Sequence, residues 1–322
     1  MNQKTKKILK IVAPILLGVV LLLYLFHSTS PEQRKNIYFY ILNADYKWVA
    51  ISLIFGTLSH LSRAYRWKFL LEPLGYKPKF ANSFMAVMAA YFANLGVPRS
   101  GEVLRATTIT AYEGIPFEKA FGTIVAERIA DLIMSFIIIG IALCVQYDVI
   151  IEAIQKKIPE NPFALLVIGL ALTFLAFLAH KLFRKSEHKL IVKIRNFIDG
   201  LKEGMISIFK MKQKWAFIFH TFFIWFMYVM MFYVIFFSVE ETKDASLSAV
   251  LSSFITGSFA VATTNGGFLA YPLAIEKTLV LYGLPGEPSQ AIGWIMWSGH
   301  TLLTIIFGAL SFFFLPIFNR KK

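Results

Sequence analysis

The sequence predicts an all-α, polytopic integral membrane protein with about six full spans and two re-entrant, broken-helix elements related as an inverted repeat. Three observations predict it. The 322-residue chain is 57% hydrophobic and 16% charged, where a soluble domain carries about 25% charged residues. Six apolar runs approach or exceed the roughly 20 residues that a spanning helix needs. Two further apolar stretches are broken near their middles by Gly, Pro and Asn.

The full spans are expected at about 9–27, 47–71, 117–145, 162–183, 215–238 and 288–316. The first follows Lys4, Lys6, Lys7 and Lys10 and resembles a signal peptide. The His27, Ser28, Thr29, Ser30 stretch after it lacks a small-x-small cleavage pattern, so a retained helix is expected. The broken stretches lie at about 80–113 and 246–283. With their following spans they make units at 80–145 and 246–316 within a single domain covering 1–322. The basic stretch 184–214 is too polar to span, and its alternation of apolar and basic residues suits an amphipathic helix on an anionic membrane surface. A plain connector is the alternative.

Cationic residues concentrate in alternate loops, as the positive-inside rule requires. The N-terminus, the segment 66–79, the basic stretch and the C-terminal tail fall on the cytoplasmic side. The loops at 28–46, 146–161 and 240–244 fall outside. This works only if each broken stretch enters and leaves on one side. Each has a Gly-bearing loop, a half-helix and a Gly-apolar-Pro turn at Gly114–Ile115–Pro116 or Gly283–Leu284–Pro285. Two such units facing opposite ways are a transporter's arrangement, with the site at the repeat interface. Conventional kinks in eight or more spans are the competing reading.

Charge at membrane depth is costly unless paired or wet, and therefore marks function. Arg63 and Arg66 share a face of the second span with His60. Arg66 and Lys68 could alternatively snorkel to the interface, with Trp67 as a belt anchor. Asn94, Pro98, Arg99 and Gly101 surround the first break. Glu102 and Arg105 follow at i, i+3, where a mutual ion pair would make both tolerable; Glu102 could instead pair another arginine or a cationic headgroup. The helix start there offers N–H groups to an anion. Glu127, Arg128 and Asp131 form a cluster on the next span, either as structural ties to Arg63 or Arg105 or as binding or proton-relay groups. In the second unit the candidates are Asn265, Gly266, Gly267, Glu276 and His300.

Other chemistry finds no motif. The single cysteine, Cys144, excludes an intrachain disulfide, and no His, Asp or Glu set has metal-ligand spacing. There is no phosphate-binding glycine loop and no nucleophile elbow, so no cofactor is expected. The net charge of +14 follows membrane orientation and anionic lipid rather than nucleic acid.

Three segments carry a family resemblance: Arg-Ala-Tyr-Arg-Trp-Lys-Phe-Leu-Leu at 63–71, Asn-Leu-Gly-Val-Pro-Arg-Ser-Gly-Glu-Val-Leu-Arg at 94–105, and Gly-Thr-Ile-Val-Ala-Glu-Arg-Ile-Ala-Asp at 122–131. Together they resemble the lysylphosphatidylglycerol synthase transmembrane region family, a flippase-like membrane domain. The second unit departs from it. Thr-Asn-Gly-Gly-Phe-Leu-Ala-Tyr-Pro at 264–272 lacks a Pro and a Gly that the family commonly carries. The resemblance implies a bacterial inner-membrane protein that moves a phosphate-bearing or otherwise polar-headed lipid. In fused members this domain flips aminoacylated phosphatidylglycerol. No aminoacyltransferase domain is expected in this chain, so its own lysyl transfer is not. The remaining readings are a membrane partner of a separate glycosyl- or aminoacyl-transferase, and a non-transporting scaffold.

Overall fold

The structure, a computed structural model, describes residues 30–97, 99–145, 192, 211–264 and 266–320. The expected first and fourth spans and nearly all of the basic stretch 184–214 lie outside them. No strand occurs among the described residues, which form nine α-helices. These are α1 (Pro31–Leu42), α2 (Tyr46–Leu71), α3 (Phe80–Gly96), α4 (Gly101–Glu113), α5 (Phe117–Val145), α6 (Lys214–Val234), α7 (Leu247–Thr263), α8 (Ala270–Leu281) and α9 (Gly286–Phe318). The protein is an all-α polytopic membrane protein. Among the described residues α5, α6 with its 3-10 extension to Ser238, and α9 are long and apolar enough to cross a membrane. α2 has the length, 26 residues, but its second half carries Arg63, Arg66 and Lys68. Protein rather than lipid surrounds that half, since Arg63, Arg66 and Trp67 are all buried.

α3 and α4 form an antiparallel helical hairpin. Asn82 donates to Glu113 at its open end (2.5 Å), and Gly101 packs on Ala90 near its tip. A Cβ on Gly101 would sit 2.2 Å from the Ala90 carbonyl oxygen, so the approach requires glycine. α7 and α8 form a second hairpin of like build. Ser252 meets the Tyr282 hydroxyl (2.8 Å) and Thr256 meets Thr278 (2.8 Å), while Gly267 lies against Val261 at the tip. With 17, 13, 17 and 12 residues, these helices reach only ~18–26 Å at 1.5 Å per residue, short of a ~30 Å hydrocarbon core.

The 33-residue α9 orders the two hairpins along its length. Its start, Gly286, lies beside Glu276 and Val280 of α8, towards the open end of the second hairpin. Further along, Trp297 Nε1 donates to the Gly266 carbonyl at that hairpin's tip (2.8 Å). Gly308 then packs on Phe92 and the Met88 carbonyl near the tip of the first hairpin. At the end, Asn319 and Asn82 exchange amide hydrogen bonds (2.7 and 2.8 Å) at that hairpin's open end. The tips meet where a Cβ on Gly266 would lie 3.7 Å from Leu95. The hairpins thus face each other tip to tip, with their open ends at opposite ends of α9. Among the described residues only Arg99 and Leu269 combine a side chain with positive φ (+63° and +62°), and each sits at one tip.

Two apolar cores flank this meeting point. One gathers Phe232, Ile235, Phe236, Ile275 and Ile292 around the second hairpin. The other gathers Trp67, Leu71, Ile109, Ile124 and Phe217 around the first. α2 enters both, because its small residues Ser52 and Gly56 let α6 approach. Ser52 Oγ donates to the Met231 carbonyl (2.8 Å), and the Met231 sulfur fills the space beside Gly56. Small residues serve this purpose where lipid removes the hydrophobic drive between helices.

Candidate functional site

The site sits where α2, α4, α5 and α6 converge beside the first hairpin. Helical spacing places Arg63 and Arg66 on one face of α2, and Glu127 and Asp131 on one face of α5. Arg63 Nη1 contacts Asp131 Oδ2 at 2.6 Å, and Arg66 Nη2 contacts Asp131 Oδ1 at 3.1 Å. Arg66 Nη1 also donates to Thr221 Oγ1 on α6 (2.8 Å), while its Nε lies 3.6 Å from Glu127 Oε1. Arg105 of α4 binds Glu127 Oε2 at 2.6 Å. These five charged residues are at most 8% exposed. Glu127 lies ten residues into α5, ~15 Å along its axis.

Aromatic rings hold the guanidinium planes. Arg105 lies 3.8 Å from the centroid of the Trp67 ring, and Arg66 lies 5.1 Å from that of Phe217. Desolvated cation–π contacts of this kind contribute up to about 2 kcal/mol each. Trp67 is fixed in turn by donating its indole N–H to Thr123 Oγ1 (2.8 Å). Arg66 and Trp67 are fully buried, so neither snorkels nor anchors an interface. Lys68, by contrast, turns outward to the Tyr65 hydroxyl.

Of the partners open to Glu102, Arg105 at i, i+3 is not taken and another arginine is. Arg105 goes to Glu127, and Glu102 goes to Arg128 Nη2 at 2.5 Å. Neighbouring residues of opposite sign on α5 offer each member of α4 a better partner than its helix mate. Two of the expected N–H donors at the start of α4 are also engaged. Gly101 N–H donates to Asn94 Oδ1 (2.8 Å), and Leu104 N–H to the Ser100 carbonyl. Spare guanidinium nitrogens of Arg63 and Arg105 are donors that the site offers an anion.

A cavity of about 10 Å³ opens among Arg63, Tyr91, Asn94, Glu102, Arg105 and Arg128, room for about one water molecule. The Arg128–Glu102 pair forms its more exposed side, with side chains 49% and 23% accessible. Several polar atoms of this group have no hydrogen-bond partner among the described residues: Arg63 Nε, Arg105 Nε and Nη2, and Glu102 Oε2. Such atoms are costly to bury unused. The charges do not cancel either among the described residues. There Arg63, Arg66 and Arg105 face only Glu127 and Asp131, and the Arg128–Glu102 pair is neutral, so one positive charge is left over.

Arg63, Arg66, Asn94, Gly101, Glu102, Arg105, Glu127, Arg128 and Asp131 are therefore gathered in one place. Arg99 lies at the hairpin tip with left-handed backbone. Gly266 and Gly267 form the opposing tip, and His300 packs on His60, one turn before Arg63 (ring centroids 5.9 Å apart). Glu276 stays towards the open end of the second hairpin, bonded by Lys277 (3.1 Å). Pro98 and Asn265 lie outside the described residues. Thr123, Thr221 and Tyr91 are the contributors not anticipated. Nothing distinguishes a hydroxyl that binds an arginine from one that satisfies its own helix, and Thr221 does both.

Residues 11–317 match the family model described as the lysylphosphatidylglycerol synthase TM region. The chain is similar to a UPF0104 membrane protein of Pyrococcus horikoshii, 23% identical over 300 residues, with 83% of this chain and 88% of the relative covered. A UPF0104 membrane protein of Methanocaldococcus jannaschii is 29% identical over 139 residues, 41% of each chain. The glycosyltransferase AglD of Haloferax volcanii is 28% identical over 134 residues, 41% of this chain and 21% of that protein. No solved structure matches the chain.

Proposed function

This chain belongs to the lysylphosphatidylglycerol synthase TM region family, and on that premise we propose that it is a flippase-like transporter of a phosphate-bearing lipid. The observation that carries the reading is the unbalanced arginine cluster, with spare guanidinium donors lining a cavity at the tip of a broken helix. An anionic headgroup supplies the missing charge and the missing acceptors. The acyl chains stay in the bilayer while the headgroup crosses through protein.

The two hairpins supply the route. As elements that enter and leave the membrane on one side, they form an inverted repeat whose meeting point is the binding site, the arrangement expected of alternating access. Non-helical backbone at the tips is tolerated because it lies against protein and a polar cavity. The cavity is too small for a phosphate in this conformation, so entry requires the tips to part. The membrane assigned is the bacterial cytoplasmic membrane, with both termini inside.

Transbilayer movement of labelled phosphatidylglycerol in liposomes holding the purified chain tests this, with wild type beside Glu102→Gln and Arg105→Ala. Movement in wild type, lost in a variant that stays folded, is the expected result. Wild-type movement equal to that of empty liposomes, across anionic and zwitterionic phospholipids, counts against it. The similarity to AglD favours one second reading, a membrane partner of a lipid-modifying transferase. That role gives covalently altered lipid in mass spectra of cells with and without the protein, and transport alone does not.

A further inference from the structure

His60 lies one helical turn before Arg63 on the same face of α2. It is 1% exposed, and neither ring nitrogen has a hydrogen-bond partner among the described residues. Its ring packs on Tyr91 of α3 (centroids 4.9 Å apart), Tyr228 of α6 (6.4 Å) and His300 of α9 (5.9 Å). Tyr91 in turn lines the cavity that holds Arg63. A buried imidazole with two idle nitrogens is a group that structure alone leaves unexplained.

Among the described residues the groups facing His60 are the Arg63 guanidinium on its own helix, the phenols of Tyr91 and Tyr228, and the imidazole of His300, and no carboxylate is among them. Asp131 of α5 lies beyond Arg63 and is committed to that residue and to Arg66. A proton on His60 is therefore opposed by Arg63 as long as Arg63 shares its charge only with Asp131. An anion delivered to the cavity removes that opposition.

We propose that His60 is a proton-binding site coupled to the headgroup site, so that an anionic headgroup and a proton are taken up together. This rests on the arginine cluster being the lipid site. Because linkage is reciprocal, the proton strengthens lipid binding by the factor by which the lipid strengthens proton binding. A lipid phosphodiester keeps its single charge throughout the range in which histidine titrates, so the pH dependence belongs to the protein.

The test is calorimetric binding of a short-chain phosphatidylglycerol to the full chain in neutral detergent. It is run between about pH 5.5 and 8, in buffers of different ionisation enthalpy. The wild type is expected to bind at least about fivefold more tightly at the acid end, the lower bound of ordinary coupling, with net proton uptake. His60→Gln is expected to bind with neither pH dependence nor uptake, and His300→Gln to retain both. Wild-type binding that is flat with pH and takes up no proton overturns the proposal and leaves the transport reading standing. So does pH dependence that survives in His60→Gln or disappears only in His300→Gln. Failure to bind phosphatidylglycerol at any pH overturns both. If His60→Gln does not fold, proton uptake by the wild type and by His300→Gln decides: uptake in both supports the proposal, and its loss in either overturns it.

Discussion

Arg105 and Glu102 are neighbours on α4 with different energetic standing. Arg105→Ala takes from Glu127, which is 1% exposed, its closest partner and leaves it the longer contact with Arg66 Nε at 3.6 Å; removing one partner of a buried pair costs up to about 3–5 kcal/mol. Glu102→Gln breaks a pair whose arginine is half exposed, which costs at most about 1 kcal/mol. Lipid movement is expected to be lost in both, while thermal unfolding separates them, with a large fall for Arg105→Ala and a small one for Glu102→Gln. Equal falls for the two single variants would mean that Glu102 is a structural tie as strong as Arg105. The identity of these residues was legible from charge inside apolar sequence. Ties from the Glu127 and Asp131 cluster to Arg63 and Arg105 were among the readings the sequence left open, and they form; which carboxylate takes which arginine was not legible, because helical spacing says which residues share a face and nothing about how the helix opposite is set against it.

The broken elements were legible because their punctuation is local. Gly114 takes φ +67° at the end of α4, and Gly283 takes φ +82° after α8, each followed within two residues by proline that cannot continue a helix. That the halves fold back as hairpins depends on contacts between residues far apart in chain, such as Asn82 with Glu113. Gly101 is the most demanding of these contacts. Gly101→Ala forces a Cβ into the Ala90 carbonyl and should open the hairpin tip, with loss of both thermal stability and lipid movement. Gly96→Ala, five residues earlier in α3 with no atom within 4 Å of its Cβ, should be neutral or slightly stabilising, since alanine is the better helix former by about 1 kcal/mol. A tolerated Gly101→Ala would remove the close approach from the account.

At the scale of the whole molecule, α9 relates the two hairpins, and only the structure reveals it. The sequence shows two similar broken stretches, and its charge bias assigns them to opposite faces. The side chains along α9 order them as open end, tip, tip, open end. Lys79, at the open end of the first hairpin, and Lys243, before the second, are both exposed. With Cys144 replaced by Ser, a membrane-impermeant thiol reagent applied to intact cells should label Lys243→Cys and spare Lys79→Cys until the membrane is opened. Labelling of both from outside would end the reading of opposed hairpins. The central claim, that spare guanidinium charge selects a phosphate-bearing lipid, is tested most directly by headgroup discrimination. Proteoliposomes carrying labelled phosphatidylglycerol and a labelled uncharged diacyl glycolipid in one membrane should move the first faster than protein-free vesicles do and leave the second at the protein-free rate. Equal acceleration of both lipids would contradict it.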